Sequence, residues 1–332
     1  MTGLRLSRTG YDQAPAPEQF DDHTVFQTKG WLDFVACTQN AEPVVAVVKD
    51  GNRPVGRFSG LIIKKYGLRI LGSPFPGWTT SYMGFNLEPS ISRADALLAL
   101  EDFAFRELRC VHVEIMDRRL STSDFDRAGY DYGILSTYEI DLAKEDDELF
   151  ATIKATCRRC INKAARVGVA VEAAEDLSFA DDYYAQLEDV FAKQRLVPTY
   201  PKERVRALIE HLLPTGQLLL ARAKDSEGNC IGTGIFPALN DTAYFWGGAS
   251  WRPSQSLCPN EAIQWFAMRY WKERGISKYD MGGVGWYKQK FGGYEIAIPW
   301  GRKAKYPFLK SLRNFGKKLF VIRQGVSGFR KR

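Results

Sequence analysis

Histidine is scarce in this chain: His23, His112 and His211 are the only three in 332 residues, and they are far apart. That spacing leaves no histidine placed to activate a serine or cysteine, and Gly-x-Ser-x-Gly is absent. There is no phosphate-binding Gly-x-x-x-x-Gly-Lys-Ser/Thr loop and no dinucleotide Gly-x-Gly-x-x-Gly. Cysteine is sparse too, with six thiols (Cys37, Cys110, Cys157, Cys160, Cys230, Cys258), mostly in apolar-periodic segments. Such usage reads as reduced thiols rather than a disulfide framework. The Cys157-x-x-Cys160 pair lacks a second pair, so no metal site is expected. No run of about 18 apolar residues exists to span a membrane. Met1–Gln19 has no apolar core of a signal peptide, so a cytoplasmic location is expected.

What is present is an ordinary globular composition, 45% apolar and 26% charged, with length for about two domains. The charge is unevenly spread. Of 46 Lys and Arg, 11 fall in 301–332, which has no acid, leaving 35 against 39 acids elsewhere. Phe308, Leu309, Leu312, Phe315, Leu319 and Phe320 recur there at roughly helical intervals. A basic amphipathic segment suits an anionic membrane face or tRNA phosphates. The mildly acidic body argues against DNA as a partner.

Two stretches follow the same order. Val44–Val48, Val55–Ile63 and Leu68–Leu71 read as strands, then a Gly/Pro-rich loop 72–77, a helix Arg93–Arg109 and a strand Val111–Ile115. About 175 residues later come strands Gln217–Ala223, Cys230–Pro237 and Thr242–Trp246, a loop 247–258, a helix Pro259–Arg274 and a strand Ile276–Met281. The expected architecture is α/β, two similar halves in tandem at 1–140 and 141–300, with 301–332 as a basic tail. Between the repeats a single helix is expected from Asp146 to Gly168, acidic at its start and basic later.

The most chemically suggestive stretch is Tyr279–Gly293. A strand ends at the carboxylate of Asp280 and enters a glycine-rich loop, Gly282-Gly283, followed by Tyr287, Lys288 and Lys290. Glycines let backbone N–H groups approach a ligand, and a lysine there can hold phosphate or steady an oxyanion. Asp280 can orient an amine or act as a weak base. A surface hairpin with solvated lysines accounts for the same composition. Arg158, Arg159, Arg195 and Lys202 are further anion-binding candidates, each equally consistent with a solvated helix face.

Tyr279-Asp280-Met281-Gly282-Gly283 and Tyr287-Lys288-Gln289-Lys290-Phe291-Gly292 resemble the Tyr/Phe-Asp-Phe/Met-Gly-Gly and Phe/Tyr-Lys-x-x-Phe-Gly motifs of Fem-type and related GNAT-fold acyltransferases. Arg158-Arg159-Cys160-Ile161-Asn162-Lys163-Ala164 resembles the Arg-Arg-x-Ile-x-x-Ala helix of that family, and Asn260–Trp265 resembles the helix before its Tyr-Asp-x-Gly-Gly strand. The resemblance covers most of 26–300. It implies tandem GNAT-like domains, each a mixed, mostly antiparallel sheet flanked by helices. It implies an acyl or aminoacyl group moved by direct attack of an amine, with acyl-CoA or aminoacyl-tRNA as co-substrate and no tightly bound cofactor. The acceptor would be a small-molecule or lipid-linked glycan or peptide of the cell envelope, handled at the inner face of the membrane. Lys288 would contact phosphate or the tetrahedral oxyanion. Trp78 and Tyr82 would shape the acceptor cleft, and Arg158, Arg159, Arg195, Tyr287 and Lys290 would bind substrate.

One departure stands out. Simple acetyl-CoA enzymes of this fold hold pyrophosphate with a Gln/Arg-x-x-Gly-x-Gly/Ala loop before the main helix. Here 252–259 contains no glycine. Arg252, Ser254, Ser256, Gly282 and Gly283 remain as candidate cofactor contacts. A degenerate GNAT module that binds an anionic ligand without catalysis is the competing reading.

Overall fold

The computed structural model describes residues 3–192 and 195–306. The first repeat contains β1 (Leu4–Thr9), α1 (Lys29–Gln39), β2 (Glu42–Asp50), β3 (Arg53–Lys65), β4 (Leu68–Ser73), β5 (Gly84–Leu87), α2 (Arg93–Asp102), β6 (His112–Ile115), α3 (Thr122–Ala128) and β7 (Asp131–Asp141). The second contains α4 (Asp146–Thr152), α5 (Ala155–Arg166), β8 (Ala170–Ala174), α6 (Phe179–Ala192), α7 (Lys202–Leu212), β9 (Leu218–Lys224), β10 (Cys230–Leu239), β11 (Thr242–Tyr244), β12 (Gly247–Ser250), α8 (Pro259–Lys272), β13 (Lys278–Asp280), α9 (Trp286–Gln289) and β14 (Tyr294–Ala304).

All 14 strands join one sheet, ordered β1-β2-β3-β4-β6-β14-β7-β13-β11-β10-β9-β8, with β5 on β3 and β12 on β10. The order reads alike from either end, as the repeat implies. The centre adds something the repeat does not: an exchange. The last strand of the second half, β14, lies between β6 and β7, and the last strand of the first half, β7, lies between β13 and β14. Neighbours are antiparallel except β4–β6 and β11–β13. β14 runs through Gly301–Ala304, so these residues belong to the sheet. Residues 307–332 of the tail lie outside the described residues.

Each half has its own apolar cluster, and a third straddles both. It joins Phe26, Trp31 and Phe34 to Tyr183, Leu208 and Tyr244. There α1 packs on α7. The approach is close enough that a Cβ on Gly30 would fall 2.8 Å from the His211 carbonyl oxygen. Thr28 starts α1 by accepting from the Trp31 N–H at 3.3 Å.

The single helix expected over 146–168 is two. Ile153 and Lys154 are extended, and the Lys154 N–H donates to the Lys290 carbonyl at 2.9 Å instead of continuing the helix. Thr152 also turns its hydroxyl back to the Leu149 carbonyl at 2.7 Å, a bond that competes with helix continuation. The break receives the 290–292 loop. The stretch 247–258, expected as loop, contains β12, whose Gly-Gly-Ala-Ser sequence has little strand preference and is held by β10.

Candidate functional site

Strands β11 and β13 run parallel as far as Tyr244 and Asp280. Their last link is the Phe245 N–H donating to the Asp280 carbonyl at 2.8 Å. Beyond it the chains part, one entering β12 beside β10 and the other the Gly282-Gly283 turn. The gap is a cleft of about 310 Å³. Leu135–Thr137 of β7 and Ile298 of β14, the two exchanged strands, run along it, with half-exposed Leu135 at the opening. Gly282, Gly283 and 244–246 form one wall. The other comes from the first half: Phe26, Met116 and residues 77 and 79–82. The site therefore lies between the halves.

Asp280 is fully buried beneath it. Its carboxylate accepts from Tyr82 at 2.8 Å, Thr137 at 2.6 Å and the Gly282 N–H at 2.7 Å. The Thr137 hydroxyl accepts from the Gly283 N–H at 2.8 Å. One carboxylate and one hydroxyl thus pin both loop glycines. Gly282 has φ +66°, and a Cβ would sit 2.8 Å from the Phe245 carbonyl oxygen, so glycine is required twice over. Lys288 donates to the Gly282 carbonyl at 2.9 Å. Burial pushes its amine below the ordinary lysine range, and Asp280 opposes that shift. Burial and the nearby Asp280 carboxylate push the Tyr82 hydroxyl far up, so it is a neutral donor. Behind Tyr82, Arg118 lies 5.4 Å from its ring and pairs with buried Glu139, which also accepts from Tyr294 at 2.5 Å. Burial opposes the Arg118 charge, but Tyr244 and Glu139 hold it firmly protonated.

Residues 151–294 match the acetyltransferase (GNAT) domain family. The second half is a GNAT domain. In fold the chain is similar to FemX, with 14% identity, TM-score 0.71, and 88% of this chain and 96% of that one covered. It is also similar to L-PGS from Bacillus licheniformis, with 11% identity, TM-score 0.54, and coverage of 89% and 92%. A tandem GNAT protein from the clavulanic acid biosynthesis pathway gives 11% identity, TM-score 0.52, and coverage of 92% and 99%. No curated protein matches the sequence.

Of the residues singled out from sequence, the GNAT cleft brings together Tyr82, Gly282 and Gly283, with Asp280 below and Lys288 beside the turn. Asp280 is walled in by its three donors and holds the site rather than facing an amine. Trp78 packs against Phe75, ring centroids 4.8 Å apart and tilted by 52°, and Arg204 holds its carbonyl; the neighbouring Thr79 reaches the cleft. Lys290 pairs with Glu261 and lies 4.1 Å from the Tyr287 ring centroid, while Tyr287 donates to the Asn260 carbonyl at 3.3 Å. These two brace α8 from the loop side. Arg158 donates to the Ala151 carbonyl at 2.8 Å. Arg159 and Arg195 are exposed, and neither lines the cleft.

The start of α8, where an acetyl-CoA enzyme would bind pyrophosphate, carries an acid paired with a lysine. Pro259 removes one N–H, and Glu261 occupies the first turn, with both it and Lys290 largely buried. The helix dipole therefore has its anion. Neither Ser254 nor Ser256 caps the helix: they sit in a 3-10 turn, and Cys258, at φ +62°, is the N-cap with no side-chain bond. Arg252 is exposed, its N–H donating to Asp189 at 3.2 Å. Among the described residues no group of His, Cys, Asp and Glu could hold a metal. Cys157 is buried, its thiol pushed up to about 12 by desolvation.

Sequence reasoning missed Thr137, Glu139, Arg118 and Tyr244. Thr137 lies in an alternating run, 131–140, that reads as a strand, but nothing local says which strands flank it.

Proposed function

We propose that the cleft transfers an aminoacyl group from aminoacyl-tRNA to an amine of a cell-envelope glycan, peptide or lipid-linked acceptor. The observation that carries this reading is the carboxylate in the first turn of α8. A CoA pyrophosphate there would meet the Glu261 carboxylate, whereas an ester on the 3′ end of an RNA needs no anion pocket at that point. The adjoining surface suits RNA. Residues 154–166 carry Lys154, Arg158, Arg159, Lys163 and Arg166 with no acid, and all but Arg158 are exposed. Lys154 also donates to the Gln289 side chain at 3.0 Å, which ties this face to the Lys288 turn. The Fem-type resemblance and the fold shared with FemX point the same way.

On this reading the acceptor amine attacks the ester carbonyl. A C–N bond forms, the C–O bond to the ribose breaks, and the amine's proton passes to the leaving oxygen. Lys288 spends one N–H on the Gly282 carbonyl and has two more for the oxyanion. Asp280 and Thr137 are positioning residues that keep the glycine turn in place. Residues 1–140 and 141–300 each supply one wall of the cleft in which transfer takes place. The basic residues beyond Tyr306 contact the anionic face of the membrane.

The test is thermal stabilisation by each donor separately. Charged tRNA should raise the melting temperature, and acetyl-CoA and longer acyl-CoAs should not. A shift with acyl-CoA alone would reverse the choice of donor. No shift with any donor would favour a non-catalytic binding module. Truncation after Tyr306 should leave melting unchanged and weaken binding to phosphatidylglycerol vesicles; equal binding by both chains would remove the tail from that role.

A further inference from the structure

The lining of the cleft selects what is transferred. Resting on the aminoacyl reading above, we infer that the transferred group carries an uncharged, apolar side chain larger than a methyl. Three rings in mutual contact make the inner surface: Phe26 and Tyr244 at 4.6 Å, Phe26 and Tyr82 at 6.4 Å, and Tyr82 and Tyr244 at 6.1 Å between centroids. Met116, Leu135 and Ile298 extend it, and Phe245 and Trp246 close one side. The polar lining comes from the hydroxyl residues Thr79, Thr80, Ser81, Ser136 and Thr137 and from the Trp246 indole, whose N–H has no partner among the described residues. They suit the polar backbone of an aminoacyl ester. No acidic or basic side chain lines the cleft. The nearest carboxylate, Asp280, is fully buried and already accepts three hydrogen bonds.

A lysyl side chain would lose its water here and gain no counter-charge, and the cation beside the turn, Lys288, is committed to the Gly282 carbonyl and the oxyanion, which leaves a glutamyl side chain unpaired too. An alanyl methyl would leave the ring surface without contacts. The same molecule shows what a charge-adapted cavity looks like. On the other side of Tyr82 and Tyr244 lies a cavity of about 160 Å³ lined by Asp21, Asp117, Asp241, Arg118 and Lys278. The transfer cleft has none of that character.

The experiment uses unreactive donor mimics, 3′-amino-3′-deoxyadenosine joined by an amide to alanine, leucine, phenylalanine, lysine or glutamate. Binding to the full chain is measured by calorimetry. The leucyl or phenylalanyl mimic should bind at least about tenfold tighter than the alanyl one, the scale of discrimination an apolar pocket achieves for added methylenes. The lysyl and glutamyl mimics should be weaker still. Equal binding of all five, or a preference for alanyl, lysyl or glutamyl, overturns the inference and leaves the aminoacyl reading standing. Binding of none removes both. Leu135 is 44% exposed at the opening, so Leu135→Asp should fold, as its melting curve will show. It should gain lysyl binding and lose leucyl binding; an unchanged order of affinities would count against the cleft as the selecting surface.

Discussion

Lys288 illustrates how far single residues carry the functional argument. Its amine is held below the ordinary lysine range of 10.5 by burial, so the protonated form is less stable folded than unfolded. The fold bears that cost at neutral pH and is relieved of it as pH rises towards 10.5. Lys288→Met should therefore melt slightly above the parent near pH 7 while transfer falls by about 100-fold or more. A variant that melts lower, or that keeps its turnover, would contradict the role assigned to the amine. The rate in the parent should decline with rising pH through the lowered lysine pKa, and this alkaline limb should vanish in the variant. Lys288 and its glycines stood out in the sequence because Tyr-Asp-Met-Gly-Gly and Tyr-Lys-Gln-Lys-Phe-Gly resemble family motifs; their composition alone fits a surface hairpin with solvated lysines as well. Tyr82 was visible in an aromatic, Gly/Pro-rich loop. Thr137 and Leu135 were not visible: they are ordinary strand residues, and only the identity of the neighbouring strand makes them part of a cleft.

At the level of elements, α5 and the α6–β9 contact give separate tests. On the tRNA reading, Arg159→Ala and Lys163→Ala should each weaken RNA binding and reduce the salt slope by about one phosphate contact. Slopes equal to the parent's would take RNA off this face. The second contact is structural. Arg222, on β9, donates to Asp176 at 2.7 and 3.1 Å and to Asp182 at 2.8 Å. Hydrogen bonds from Arg222 and then Ser178 hold the Asp176 carboxyl well below the usual carboxylate range. A depressed carboxylate stabilises the fold above its unfolded pKa of about 3.9 and loses that contribution as pH falls further. Asp176→Asn should thus cost about 1 kcal/mol or less near pH 7, since the carboxylate is half exposed. The deficit should shrink below about pH 4, as acid unfolding curves of the two chains will show. Elements with strong periodicity, such as β2, β3, α2 and α8, were readable from sequence. The α4–α5 break was not, because a distant loop causes it.

For the whole molecule, the decisive feature is the position of β7 and β14. The repeat announced two similar halves but not that they trade strands, since a strand's sequence specifies its faces more strongly than its neighbours. If the chain is cut between Ala143 and Asp146, the first fragment lacks the strand that separates β6 from β7, and the second lacks the one between β13 and β14. Each fragment expressed alone should be insoluble or unfolded, and the two together should recover one complex with a single melting transition. A folded, monomeric fragment of either kind would show the exchange to be dispensable. Two halves that merely stood side by side could drift apart, and either could be discarded. Once each half lends the other its central strand, loss of one half becomes loss of both, so the sheet itself holds the pair together.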